Sequence, residues 1–191
     1  MDSQYQNHIA LNDVKVQMKK IPKLFIAVLF TAVIFNSCKK SSDTSPAGVG
    51  MKFTSNGTDV SFNSCVEASA TVGDQSQILI TGIDISNGKA GTSSFEVQLI
   101  HDEATLKSGQ VYPAATTFGQ ANSSALLYFK NNTDFFATQP GNPQGTVTLT
   151  EVTSTTIKGT FSGKLFTEDD FTGEHVLYTI TNGSFTAKRG N

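Results

Sequence analysis

The chain reads as all-β, an antiparallel β-sandwich of about eight or nine strands, with a lipocalin-like barrel as the alternative. Three observations carry this. From Met51 onward apolar residues alternate at period two, Thr, Val, Ile and Phe are abundant, and turn residues recur every 8 to 15 positions.

Residues 1–17, MDSQYQNHIALNDVKVQ, are polar and carry Asp2 and Asp13. They read as an overextended start or a long leader, because Met18 followed by Lys19 and Lys20 is the better beginning. Residues 18–37 have the three-part layout of a secretory signal: Lys19, Lys20 and Lys23, then the mostly apolar run Leu24 to Phe35, then Asn36-Ser37 before a cysteine. Twelve helical residues cover about 18 Å, well short of the roughly 30 Å hydrocarbon core, so the run starts translocation without spanning comfortably.

Phe35-Asn36-Ser37-Cys38 resembles a bacterial lipoprotein lipobox, with Phe in place of the usual Leu and Asn at the second position. The resemblance implies cleavage between Ser37 and Cys38, with Cys38 as the acylated N-terminus. One acyl chain holds marginally, at about 0.8 kcal/mol per buried CH₂, whereas two or three on one sulfur and its amine hold firmly. The membrane would then be a partner through that anchor. Residues 38–50, rich in Ser, Pro and Gly, read as a flexible tether. With one acidic residue, Asp43, behind Lys39 and Lys40, they leave the periplasmic face and the cell surface both open.

Residues 51–191 form the all-β domain. Lys52 to Ser55, Asn56-Gly57 and Thr58 onward make the strongest hairpin signal, since Asn-Gly supplies the positive φ angles a two-residue turn requires. Val60, Phe62 and Val66 should share a face, with Cys65 a semi-buried strand thiol. Gln77 to Ile85, QILITGIDI, is apolar on both faces, as a central strand covered on each side would be. Ser94 to His101 alternates, placing Phe95, Val97 and Leu99 on one side and Glu96 and Gln98 on the other. A helical turn over Asp102 to Lys107, a short Val111-Tyr112-Pro113 segment and a strand over Ala125 to Lys130 follow.

Asn131 to Gly145 reads as irregular, with Phe135-Phe136 either capping the core or protruding, of which capping is the favoured reading. Val147 and Leu149 alternate along one strand, and Ile157, Phe161 and Leu165 along the next after a Thr153–Thr155 turn. Gly159 and Gly163 fall on that inward face, where missing side chains allow close approach. The last strand carries Val176, Tyr178 and Ile180. Phe185 is out of phase with these, so Asn182-Gly183 is expected to be a bulge.

The runs Gly159 to Gly163, GTFSG, and Ile180 to Phe185, ITNGSF, together with the signal, resemble small Bacteroidota-type envelope lipoproteins. Those motifs are structural and carry no catalytic residue. The resemblance implies an outer-membrane lipoprotein address and a β fold, and no activity.

Removal of residues 1–37 leaves 154 residues with ten basic and fourteen acidic side chains, a net charge of −4. That length buries a proper core, and a mildly acidic chain with no basic stripe argues against nucleic acid. Acylation of Cys38 leaves Cys65 without a disulfide partner.

No catalytic constellation is evident. His101 and His175 lack metal-ligand spacing and are expected at strand ends facing water. GTFSG is not the GxSxG elbow. Glu168, Asp169, Asp170 and Glu174 form an acidic loop that is a weak calcium candidate without DxDxDG spacing, against the plainer reading of a solvated hairpin end. Tyr112, Tyr128, Phe135, Phe136 and Phe171 could form a glycan platform, but rank first as packing residues. No cofactor is implied. The leading expectation is a non-enzymatic, lipid-anchored domain with a binding or structural accessory role and an envelope protein or glycan as partner. Its rivals are a glycan-acting hydrolase using carboxylates such as Glu168 or Asp170, and a barrel enclosing a small apolar ligand.

Overall fold

Asn56 and Gly57 take φ angles of 46° and 81°, the left-handed backbone of a two-residue turn, and join β1 (Gly50–Ser55) to β2 (Thr58–Phe62) as predicted. The computed structural model describes residues 48–72, 75–102 and 105–190. The leader, the Ser37–Cys38 junction and most of the tether lie outside them. The remaining strands are β3 (Ser64–Val72), β4 (Gln75–Ser86), β5 (Lys89–His101), β6 (Val111–Pro113), β7 (Ser123–Lys130), β8 (Asp134–Ala137), β9 (Gly145–Val152), β10 (Thr156–Thr167) and β11 (Tyr178–Arg189). The fold is all-β.

Eleven strands among the described residues exceed the eight or nine expected, and two local events account for the excess. Asn63 splits one predicted strand into β2 and β3. Its side chain bonds both backbone groups of Ile85, accepting at 2.8 Å and donating at 3.0 Å, and its own N–H donates to Asp84. The chain thereby leaves β1 and takes β4 as partner. This resets the alternation, so Cys65 and Glu67 turn inward, while Val66, expected on the Val60 and Phe62 face, is 42% exposed.

The second event is β8, inside the stretch expected to be irregular. Asn131 and Asn132, at φ 54° and 60°, make the turn without glycine, because a short amide side chain tolerates the left-handed region. Phe136 then pairs with Tyr128 and Phe135 with Phe129. Phe136 packs against the core as expected, while Phe135 lies on the opposite face against the Phe129 ring at 4.9 Å. Asp102 and Thr105–Lys107, the described residues of the expected helical turn, are not helical, and Val176 precedes the last strand, exposed in the loop before it.

The ladders close on themselves. From β11 they run through β3, β4, β5, β7, β8 and β10 and back to β11, with β1 and β2 branching from β11, and β9 and β6 from β10. Two seams of two residue pairs each complete the ring. One joins Phe166 and Thr167 to Ala137 and Phe136; the other, parallel, joins Lys188 and Arg189 to Val66 and Glu67. That parallel seam, with a parallel bridge between Ala114 and Ser124, makes the sheet mixed where an antiparallel one was expected.

One core fills the interior, with rings from opposite halves of the sheet in contact. Phe53 of β1 meets Phe95 of β5 at 4.5 Å, and Phe95 stacks on Phe161 of β10 at 5.1 Å. Such pairs add about 0.5–1.5 kcal/mol each beyond their area burial. The glycines of β10 behave as expected: a Cβ at Gly159 would meet the Phe185 ring at 2.5 Å, and one at Gly163 would meet Leu126 at 2.9 Å. The predicted bulge is present too. Asn182 has φ 53°, and the β10–β11 register shifts between Phe161 and Gly163.

Candidate functional site

The acidic loop between β10 and β11 is built around one carboxylate. Asp170 Oδ1 accepts hydrogen bonds from the Thr172 hydroxyl and the N–H groups of Gly173 and Glu174, and Oδ2 accepts from His175 N–H at 2.8 Å. The His175 backbone bond is the leading cause holding the Asp170 carboxyl below the ordinary carboxylate range. Asp170 therefore spends its lone pairs on the loop's own backbone. Glu168, Asp169 and Glu174 are exposed, and among the described residues no three His, Cys, Asp or Glu side chains converge on a common point. His175 faces water as expected.

Cys65 and His101 sit differently from expectation. Cys65 is fully buried, not semi-buried, and loss of hydration pushes its thiol up to about 12. It stays protonated and is a packing residue, since the thiolate is the reactive form. His101 is 3% exposed, not solvent-facing. It pairs with Ser76 of β4, and its Nδ1 has no hydrogen-bond partner. The register places it on the inward side with Leu99 and Val97, a consequence of alternation continuing to the end of β5.

Two buried carboxylates were not singled out by sequence. Glu67 turns inward through the Asn63 break; its Oε2 lies 3.6 Å from Arg189 Nε and accepts from Gly190 N–H, while Oε1 has no partner. Glu96 faces outward between Thr81 and Leu127 and is buried. Desolvation pushes its carboxyl up to about 7.

The aromatic residues do not assemble into a platform. Tyr112 and Tyr128 are in the core, and Phe171 is exposed alone in the acidic loop. Tyr128, Phe136 and Tyr178 instead cluster with Tyr178 edge-on to Phe136 at 4.8 Å. Lys130 Nζ donates to the Tyr178 hydroxyl at 3.3 Å and lies 5.6 Å from its ring, and that hydrogen bond leads the causes raising the ammonium above its ordinary value.

A different surface is concave. On the outward face of β9, β10 and β11 a depression of about 350 Å³ is lined by Thr146, Thr160, Ser162, Asn182 and Ser184, with Phe161 and Gly183 at its floor. It lies over the bulge, where Asn182 and Gly183 interrupt the pairing. The alternation of Thr146 with Val147, Thr160 with Phe161 and Ser184 with Phe185 is visible in the sequence. Its outward half carries no functional signal of its own, since exposed Ser and Thr are ordinary in a strand.

No family model, curated protein or solved structure matches this chain. Among the described residues no helix is long and apolar enough to cross a membrane.

Proposed function

We propose that this chain is a lipid-anchored β-domain of the bacterial cell envelope, held at the outer membrane by acyl groups on Cys38, with a binding or structural accessory role and no catalysis of its own. The carrying observation is the layout Lys19-Lys20, apolar run, Ser37-Cys38 and Ser/Pro/Gly tether directly ahead of the all-β domain. Support for an accessory role comes from the residues a hydrolase would need. Asp170 is committed to backbone hydrogen bonds, and Cys65 is a buried thiol. Binding at the surface is favoured over an enclosed apolar ligand because Phe53, Phe95, Phe161 and Phe185 occupy the interior. Mass spectrometry of the protein from its native host tests the reading: the expected result is a chain beginning at Cys38 with fatty-acyl adducts, and an unmodified Cys38 in the mature chain overturns it.

A further inference from the structure

We infer that the outward face of the β2, β1, β11, β10, β9 and β6 half of the sheet is a track for an acidic polysaccharide. The inference deepens, and rests on, the reading of this domain as an envelope binding accessory. The cross-strand register sets one continuous lateral row on this face: Ser61, Lys52, Ser184, Thr160, Thr148 and Val111, one residue from each of six strands. At strand spacings of about 4.8 Å the row is roughly 24 Å long. The 350 Å³ depression lies at its middle, where the bulge withdraws side chains from the face.

The chemistry of the row selects the ligand class. Ser and Thr hydroxyls both donate and accept, which suits a partner whose own groups are hydroxyls. Lys52 is in the row, Lys164 and Lys188 flank it on β10 and β11, and among the described residues only Lys158 of the face's four lysines pairs with a carboxylate, Glu151 at 2.8 Å. A face with four lysines and two acids, Asp59 and Glu151, within residues 38–191 that together carry a net charge of −4 marks a local site for anions. Single-stranded nucleic acid binds by stacking bases on aromatic rings, and the row contains none. A lipid surface needs an apolar wedge, and only Val111, at one end, could supply one.

The test is titration of the full-length chain with polygalacturonate, with dextran as the neutral polymer and single-stranded DNA as the other polyanion, at fixed moderate salt. Polygalacturonate is expected to bind, and dextran and DNA far more weakly. Lys52→Glu combined with Lys188→Glu should weaken binding by roughly tenfold. Thr160→Glu, which places a carboxylate in the depression, should weaken it comparably, and Thr92→Glu on the β5 hairpin should leave it unchanged. Melting temperatures check each fold, and the lysine pair carries the test if the Thr160 variant does not fold. Absence of polygalacturonate binding, equal binding of DNA or dextran, or binding indifferent to the variants overturns the inference. Acyl adducts on Cys38 without polygalacturonate binding would sink this inference and leave the envelope reading standing.

Discussion

The two halves of the sheet differ most on their outward faces. On β4 and β5 of the β3, β4, β5 and β7 half, Leu79, Thr81, Glu96 and Ile100 point outward and are nonetheless buried. In the other half the outward positions are Thr148, Thr160, Ser184 and lysines, exposed or half-exposed. Inward residues are alike in both: Ile80, Phe95 and Val97 on one side, Ile157, Phe161 and Phe185 on the other. The common core makes the sheet; the outward residues decide what each half can meet.

The largest expected effect breaks or upholds this contrast directly. Leu79→Lys should destabilise the domain by about 4 kcal/mol, because it buries an unpaired charge, whereas Thr148→Lys should stay within about 0.5 kcal/mol. Denaturant unfolding of the two variants checks it; equal costs would erase the distinction.

Glu96→Gln sharpens the same contrast through pH. In the folded state Glu96 keeps its proton up to about 7, while the unfolded chain releases it near the ordinary 4.5. The folded state therefore holds more protons over that window. Stability attributable to this group is greatest below about 4.5, falls as pH rises toward 7, and is level above. The Gln variant should lack that slope and be more stable than the parent at pH 8 by up to about 3 kcal/mol, read from unfolding curves across pH.

Beneath the first half, Cys65 should react with a thiol reagent only as the protein unfolds. Modification in native buffer should be slow and rise with denaturant along the unfolding curve. Fast reaction in native buffer would place the thiol at the surface.

The acidic loop should show a smaller response. Asp170→Asn should lower the melting temperature modestly at neutral pH. The ionised carboxylate is favoured in the folded state, so its contribution is present above the ordinary 3.8 and is lost as pH falls through the depressed folded value. The difference between parent and variant should accordingly vanish in strong acid. Smallest of all, Glu151→Gln removes the partly exposed pair with Lys158 and should cost about 0.5 kcal/mol or less.

Much of this was legible in the residues. The Asn56-Gly57 hairpin, the inward Gly159 and Gly163 and the Asn182-Gly183 bulge follow from local rules, since each depends on neighbours in sequence or on a period of two. What escaped depended on partners far along the chain. Asn63 reads as one polar residue within a strand, and its strand-breaking role exists only because Ile85 is opposite. Asn131-Asn132 lacks the glycine that announces a tight turn. The lateral alignment of the hydroxyl row has no sequence signature, because it is assembled sideways from six strands whose order is not their order in the chain.

That order gives β11 an unusual duty. It is made after every other described strand, yet β1, β3 and β10 all pair with it, and Asn56 bonds Leu177 and Thr179 across more than a hundred residues. Before it emerges, β1 has only β2 along its edges and the parallel seam to β3 cannot be sealed. In a growing polypeptide these pairings would stay open until β11 arrived, and such long-range closure is slow to form. Closure of the ring then waits on one strand that pairs with three others at once.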